Sequence, residues 1–370
     1  MPDIKETTPD PGTWLRVNGE KGIYKNGNEG IINPWAKMAE DMGSFDQHLE
    51  RDIEKNSIKV LDSELNEIDD PASVERVGSV LEKQIDFLSD NYGIDRRLLQ
   101  SRLDNISIVK WKPGTGHSVF YNGVKYQIAG GRGDPGAFVT RMEQSFDGDS
   151  WSFKEAIFFD DAVDNHVLSH ELFHAFSAKD SMGFNDEGVG YNKNGVSIDG
   201  YNRQDEKIDA SLYAKGLNEG ITELLATKFS SDERPVQYEP QAYLSDILIS
   251  PNNNRLLTAY FSNDEDDFRS FLSDFERRQG TLPSSSLVEL PIRTNEPISK
   301  DLIKACVEYT ISYCDDVEQL TEERKRLIPV FNKILKHNRL NGNEGNSQEI
   351  IDTINSVLLS KREELSSNKN

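Results

Sequence analysis

Hydrophobic and polar positions recur with different periods along this chain, and the changes of period divide it. Residues 1–45 hold many Pro, Gly, Asn and charged residues and few periodic apolar ones. Such a composition buries too little apolar surface to fold, and it predicts a partly disordered N-terminal arm over residues 1–60. From Pro71 the pattern becomes helical: Val74, Val77, Leu81, Ile85 and Leu88 recur three or four apart behind an Asp70-Pro71 start. A second helix is predicted over 95–103. The period then shortens to that of strands over 106–109, 124–128 and 156–159. The glycines of 130–136 lack the Lys-Ser/Thr ending and the strand–helix frame of a phosphate loop, so no ligand is assigned to them.

Helical spacing returns at about 164 and persists to about 178. Residues 180–210, rich in Gly, Asn and Asp, read as a long excursion of the kind that is functional or mobile. A helix over 217–229 follows, then helices over 239–249, 253–261, 264–277, 298–316, 320–338 and 347–364. The proline-bearing stretch 280–297 reads as a link between two helical parts, and 366–370 as a frayed tail. The organisation expected is therefore an arm (1–60), a domain over 61–230, and a helical domain over 231–365. No internal repeat is visible.

Composition narrows the class. With 370 residues, 36% hydrophobic and 29% charged, the chain reads as a soluble globular protein. No stretch approaches the ~18 apolar residues of a membrane span. The start, Met-Pro-Asp-Ile-Lys-Glu, has no apolar core of a signal peptide, so a cytoplasmic location is the default expectation. The net charge of −22 argues against nucleic acid as a partner, because phosphate neutralisation needs clustered Lys and Arg. It reads as solubility, with a preference for cationic substrate segments as the sharper alternative. Cys306 and Cys314, eight apart in what reads as one helix, are separated by about 12 Å of rise. That is too far for a disulfide, so both read as buried apolar positions.

The chemistry is concentrated in His170-Glu171-Leu172-Phe173-His174. Residues four apart share a helix face, so both imidazoles reach one metal ion. Glu171 is turned about 100° from His170 and is placed to take a proton from a zinc-activated water as general base. His166, His170 and His174 form an i, i+4, i+8 row among only six histidines, flanked by Val167, Leu168, Leu172, Phe173, Ala175 and Phe176. A helix so apolar is buried on most sides, and buried imidazoles need partners. His166 reads as a neighbour of the site or as solvated; His48 and His337 read as unrelated. The strand over 156–159 is placed to offer a sheet edge to an extended peptide.

A catalytic zinc needs a third protein ligand. Downstream lies Leu217-Asn218-Glu219-Gly220-Ile221-Thr222-Glu223. Glu219 and Glu223 share a helix face and repel each other unless a cation intervenes. Glu219 on the metal, with Glu223 hydrogen-bonded to the outer nitrogen of a ligand histidine, removes that repulsion. Asp180 and Glu223 stay open as alternative third ligands. Asp180 occupies the last position of an HExxHxxGxxH pattern, but the glycine that turns the chain back there is Ser177.

HExxH followed by Asn-Glu-Gly-x-Thr-Glu resembles the gluzincin zinc peptidases, the group of thermolysin, over residues 164–229. The resemblance implies one catalytic Zn²⁺, His170, His174 and Glu219 as its ligands, Glu171 as base and Glu223 behind His170. It also implies an α+β, zincin-like fold: a small twisted β-sheet packed on the motif helix, with a mainly α-helical domain behind. The 45 residues between His174 and Glu219 exceed the spacing of the best-known members, and the 180–210 excursion accounts for the excess. Peptidases of this kind carry a Tyr or His that stabilises the oxyanion. Tyr243 and Tyr238 are the first candidates, with Tyr201, Tyr260 and His117 behind them.

The function expected is a zinc-dependent metallopeptidase, an endopeptidase acting on a peptide or protein substrate. A catalytically inactive binding module of the same fold, an aminopeptidase and a non-peptidase zinc hydrolase are the alternatives. The Gly-x-Met-x-Asn signature of the related aminopeptidases is absent. Substrate specificity and oligomeric state are not encoded in any motif.

Overall fold

The computed structural model of the chain describes residues 58–61, 68–103, 106–110, 118–121, 124–127, 136–144, 151–159, 163–182, 189–202, 214–232, 235, 237–280, 282–291, 297–341 and 347–367, most strands through their backbone alone. Nearly all of the expected N-terminal arm, the glycines of 130–135, His48 and His117 fall outside the described residues.

In chain order the elements are β1 (Lys59–Leu61), α1 (Pro71–Tyr92), α2 (Arg96–Ser101), β2 (Ile106–Lys110), β3 (Ser118–Tyr121), β4 (Val124–Gln127), β5 (Gly136–Gln144), β6 (Trp151–Phe159) and the motif helix α3 (Asn165–Phe176). There follow β7 (Lys179–Met182), β8 (Val189–Asn194), β9 (Ser197–Asn202), α4 (Lys215–Ser230), α5 (Glu239–Leu248), α6 (Arg255–Phe261), α7 (Glu265–Gln279) and α8 (Ser285–Val288). The last three are α9 (Lys300–Ile311), α10 (Val317–Leu340) and α11 (Ser347–Ser367).

The α+β expectation is corrected by this architecture. Of the residues whose side chains are described, 74% are helical, and their sheet is a small two-stranded one, the tip of β8 and β9. The protein is predominantly helical; it is not a small twisted sheet packed on the motif helix. The physical reason is how much of the chain beyond 214 repeats at helical spacing, and helices also close on α3. The Gln84 side chain of α1 donates to the Ser169 carbonyl (2.9 Å), and Phe87 of α1 and Phe229 of α4 both meet Phe173 edge-on. Helices supply those contacts. Traced through the backbone, the strands form ladders ordered β1-β2-β6-β5, β3-β4 and β7-β8-β9. In the first, β6 lies between β2 and β5, so the strand expected to offer an edge is an interior one.

The elements group into two compact units. One comprises 47–177 with 225–233. Here Asp70 caps α1 by accepting from the Ser73 amide (3.0 Å), Pro71 occupies the first turn, and Gly93 closes the helix in the left-handed region (φ 68°). Val77, Leu81, Gln84, Ile85 and Leu88 form its buried stripe; Val74, expected in that stripe, is 36% exposed. Arg102 donates to the Phe176 carbonyl at the C-terminus of α3. Phe87, Phe173 and Phe229 make a three-ring cluster with centroids 5.7 to 6.1 Å apart, a geometry in which each pair adds about 1 kcal/mol beyond burial.

The other unit takes the described residues of 178–224 and 234–370. Its core is a stack of aromatic side chains, Phe268, Phe271, Phe275 and Tyr309, fully buried between α7 and α9. The 180–210 excursion is partly ordered as β7, β8 and β9, with Gly195 (φ 59°) at the hairpin turn. The 280–297 stretch holds α8, and the Ala214 amide donates to the Val288 carbonyl (3.0 Å), so this stretch is packed against the start of α4 instead of linking two bodies. Cys314 lies beyond the end of α9, not in one helix with Cys306. Both thiols are free and buried, and burial pushes Cys314 up to about 11 and Cys306 higher, so neither is a reactive thiolate. No helix among the described residues is long and apolar enough to cross a membrane.

Two glycines test the packing with opposite signs. A β-carbon on Gly220 of α4 would stand 2.5 Å from the Gln241 carbonyl oxygen of α5, a backbone atom that cannot swing away. Gly220→Ala is expected to lower unfolding free energy by about 2–3 kcal/mol. In the interior of α1, a β-carbon on Gly78 would meet only Ile58 Cδ1 at 3.9 Å. Gly78→Ala is expected to raise it by about 0.5–1 kcal/mol through helix propensity. Denaturant titration of both variants checks the pair; equal effects would contradict this packing.

Candidate metal centre

The motif helix α3 starts where Asp164 accepts from the Val167 amide (2.8 Å) and ends where the Ser177 hydroxyl donates to the His174 carbonyl (2.8 Å). From His166 to Phe176 every residue is buried except Glu171, which is half-buried. The helix thus buries its imidazoles and leaves one carboxylate where water can reach it. His170 and His174, 6% and 5% exposed, meet edge-on with ring centroids 5.0 Å apart. That is the one-turn spacing their sequence positions imply. His166, one turn earlier, is buried, with Nδ1 2.7 Å from Asp232 Oδ2 at the end of α4. It is a tie between two helix ends.

Helix α4 carries the predicted third ligand, and each residue of Asn218-Glu219-Gly220-Ile221-Thr222-Glu223 has a distinct task. The Asn218 side chain accepts from the Val196 amide (3.0 Å) at the turn of the β8–β9 hairpin. Gly220 permits the close crossing with α5, and Ile221 is fully buried. The Thr222 hydroxyl lies 3.0 Å from the Asn218 carbonyl and 2.8 Å from the Tyr260 hydroxyl. Glu219 and Glu223 project one turn apart, and both are buried. Oε1 of Glu223 accepts from the Gln237 amide (3.0 Å).

Among the described residues, His170, His174 and Glu219 form the group able to hold a metal: their ligand atoms lie within 4.8 Å of one another. Ligand atoms about 2.0–2.1 Å from a tetrahedral zinc stand about 3.4 Å apart, so a small inward shift of side chains closes the set. Two imidazole nitrogens and one carboxylate oxygen, with no thiolate, are donors that suit zinc and leave a coordination position open. The residues present fit the ion.

The other candidates fall as follows. Ser177 leaves α3 in an extended conformation (φ −62°, ψ 160°), so the chain runs straight into β7 with no glycine-type turn. The Asp180 backbone pairs opposite Lys193 in that ladder, and its side chain is outside the described part, as is that of Tyr201 in β9. Tyr260 is fully buried on Thr222. Tyr243 is 4% exposed, and its hydroxyl donates to Glu239 Oε1 (2.7 Å) within α5. Tyr238 is half-buried, immediately follows the amide that Glu223 holds, and has φ 47° and ψ 36°. A bulky residue in that left-handed region costs about 1–3 kcal/mol and persists only where its surroundings impose it.

Sequence reasoning passed over two residues here, Gln237 and Glu239. Gln237 contributes through its backbone amide, for which side-chain identity gives no signal. Glu239 receives both Tyr243 and His337, whose Nδ1 stands 2.9 Å from Glu239 Oε2. The i, i+4 spacing of Glu239 and Tyr243 was a usable clue to half of that network; the sequence distance to His337 hid the rest.

Compared with known proteins, the chain matches no family model, no curated protein and no solved structure. The residues of the centre therefore carry the functional reading by themselves.

Full-length protein dialysed against zinc is expected to retain one ion per chain. His170→Ala, His174→Ala and Glu219→Ala should each lose it, whereas Asp180→Ala should keep it. Elemental analysis by mass spectrometry reads the result. Retention in Glu219→Ala together with loss in Asp180→Ala would reassign the third ligand.

Proposed function

We propose that the protein is a zinc-dependent metallopeptidase, with His170, His174 and Glu219 holding the ion and Glu171 as general base. The observation that carries the reading is the gathering of three buried ligand atoms beside a glutamate that is the one half-buried residue of its helix segment. When bound, zinc supplies Lewis-acid chemistry: it acidifies water and polarises a carbonyl. The protein's own groups do the rest. Glu171 takes the proton from the attacking water and hands it to the departing amine, a two-way transfer suited to a carboxylate that solvent can reach. The apolar residues around it, Leu172, Phe173 and Phe176, keep bulk water from the imidazoles. Of the candidate oxyanion donors, Tyr243 and Tyr260 have hydroxyls engaged with Glu239 and Thr222, and Tyr238 follows the amide that Glu223 holds.

The gluzincin resemblance of the motif and of Asn-Glu-Gly-x-Thr-Glu supports the same assignment, and a peptide or protein is the substrate it implies. Glu171→Gln is expected to keep one zinc per chain while hydrolysis of a mixed peptide library falls by at least about a hundredfold. Chelation should abolish activity in the parent protein, and added zinc should restore it. Wild-type protein that holds zinc yet cleaves nothing in the library would instead establish a zinc-binding module without this activity.

A further inference from the structure

The resemblance implies that Glu223 stands behind a ligand histidine, and the structure gives it an additional contact of another kind. Its Oε1 accepts the Gln237 amide at 3.0 Å, in the segment joining α4 to α5. Glu223 lies fully buried on α4, one helical turn from Glu219, a separation of about 6 Å along the axis. The next residue, Tyr238, is left-handed. The described residues contain three non-glycine residues with positive φ: Ala214 (54°), Ser231 (57°) and Tyr238 (47°). The first immediately precedes α4, the second immediately follows it, and the third opens the next helix. None is a glycine or asparagine, the residues that adopt this conformation at little cost. Strained backbone thus brackets the helix bearing the third ligand at both ends.

The two αL sites after α4 are held differently. Ser231 is the ordinary end of a helix: its amide donates to Lys228, and that of Asp232 to Thr227. Around Tyr238, the Ala242 amide donates to the Tyr238 carbonyl (2.9 Å), which begins α5, and the Gln237 amide donates to Glu223. A carboxylate accepting an amide in a buried site makes a strong, charge-assisted bond. It is a contact that reaches across from the helix bearing Glu219 to this turn.

Resting on the metallopeptidase reading, we propose that Glu223 is a positioning residue for substrate binding: it clamps the Gln237–Tyr238 turn one helical turn from the Glu219 carboxylate, so that Tyr238 is presented to the bound peptide. Metal retention then depends on Glu219, and substrate fit depends on Glu223 through the turn. Such a clamp also gives the Asn-Glu-Gly-x-Thr-Glu segment a second function, because one helix face sets both the ion and the wall beside it.

The test uses the full chain. Glu223→Gln keeps an oxygen that accepts the amide, whereas Glu223→Met keeps the volume and removes the acceptor. In the Met variant the Gln237 amide is expected to exchange with deuterium about tenfold faster. KM for a peptide substrate should rise about tenfold, with zinc content still one per chain and kcat changed less than KM. In the Gln variant, which keeps an acceptor but loses the charge, amide exchange and KM are both expected between wild type and the Met variant. Should the Met variant fail to fold, Gln237→Pro serves instead, since it removes the amide that Glu223 holds without touching a candidate ligand of the ion: KM should rise and zinc should stay. Unchanged Gln237 exchange in the Met variant, or loss of zinc with KM unaltered, would overturn the clamp. Wild-type protein without zinc or activity would sink the peptidase reading instead, and Gln237 exchange would still report on the clamp.

Discussion

The close crossing of α4 and α5 at Gly220 sets which way α4 faces, and the candidate centre depends on that orientation. At this point two backbones approach so nearly that no side chain fits between them. Rotation of α4 is then locked by its neighbours on other sides. Asn218 is bonded to the β8–β9 turn and Thr222 to Tyr260. With those directions occupied, Glu219 and Glu223 are left on the remaining face. A helix held by hydrophobic contact alone could roll by tens of degrees at little cost. One held by a backbone crossing and two side-chain hydrogen bonds cannot.

That rigidity matters because the groups gathered are expensive to bury. A carboxylate and two imidazoles in an apolar interior demand compensation, and without it they disperse or change protonation state. The apolar residues of α3 enforce the burial, and an ion of charge +2 supplies the compensation most completely. Half-buried Glu171 is the complementary case: it occupies the one position of the segment from His166 to Phe176 that is not buried, as the proposed role of a base that exchanges protons with solvent requires.

Much of the helical content was legible in the sequence, because period and caps agree. Asp70-Pro71 began α1, Asp164 began α3, and the apolar spacing located the later helices of the C-terminal part except the four-residue α8, which lies in the stretch read as a link. The facing of His170 and His174 was legible for the same reason, as an i, i+4 pair maps directly onto a helix face, and the structure brings Glu219 to them. The class of fold was not. Short runs such as 106–109 and 156–159 predict strands, but nothing in a strand's local pattern says how small a share of the fold they make up; the rings that meet Phe173 of the motif helix, Phe87 and Phe229, lie far from it in sequence. The Gln237–Glu223 bond escaped because a backbone amide is common to nearly all residues. The left-handed Tyr238 escaped because no residue preference favours it. Strain of this kind is imposed by tertiary contacts and leaves no local trace.

The central claim is that His170, His174 and Glu219 share one zinc ion. X-ray absorption at the zinc edge of the full-length protein tests it most directly, because the spectrum counts imidazoles and distinguishes oxygen from sulfur neighbours. The account predicts two imidazole ligands at about 2.0 Å with the remaining scattering from oxygen, and loss of one imidazole contribution in His174→Ala. A spectrum with sulfur neighbours, or one without imidazole scattering, would contradict it.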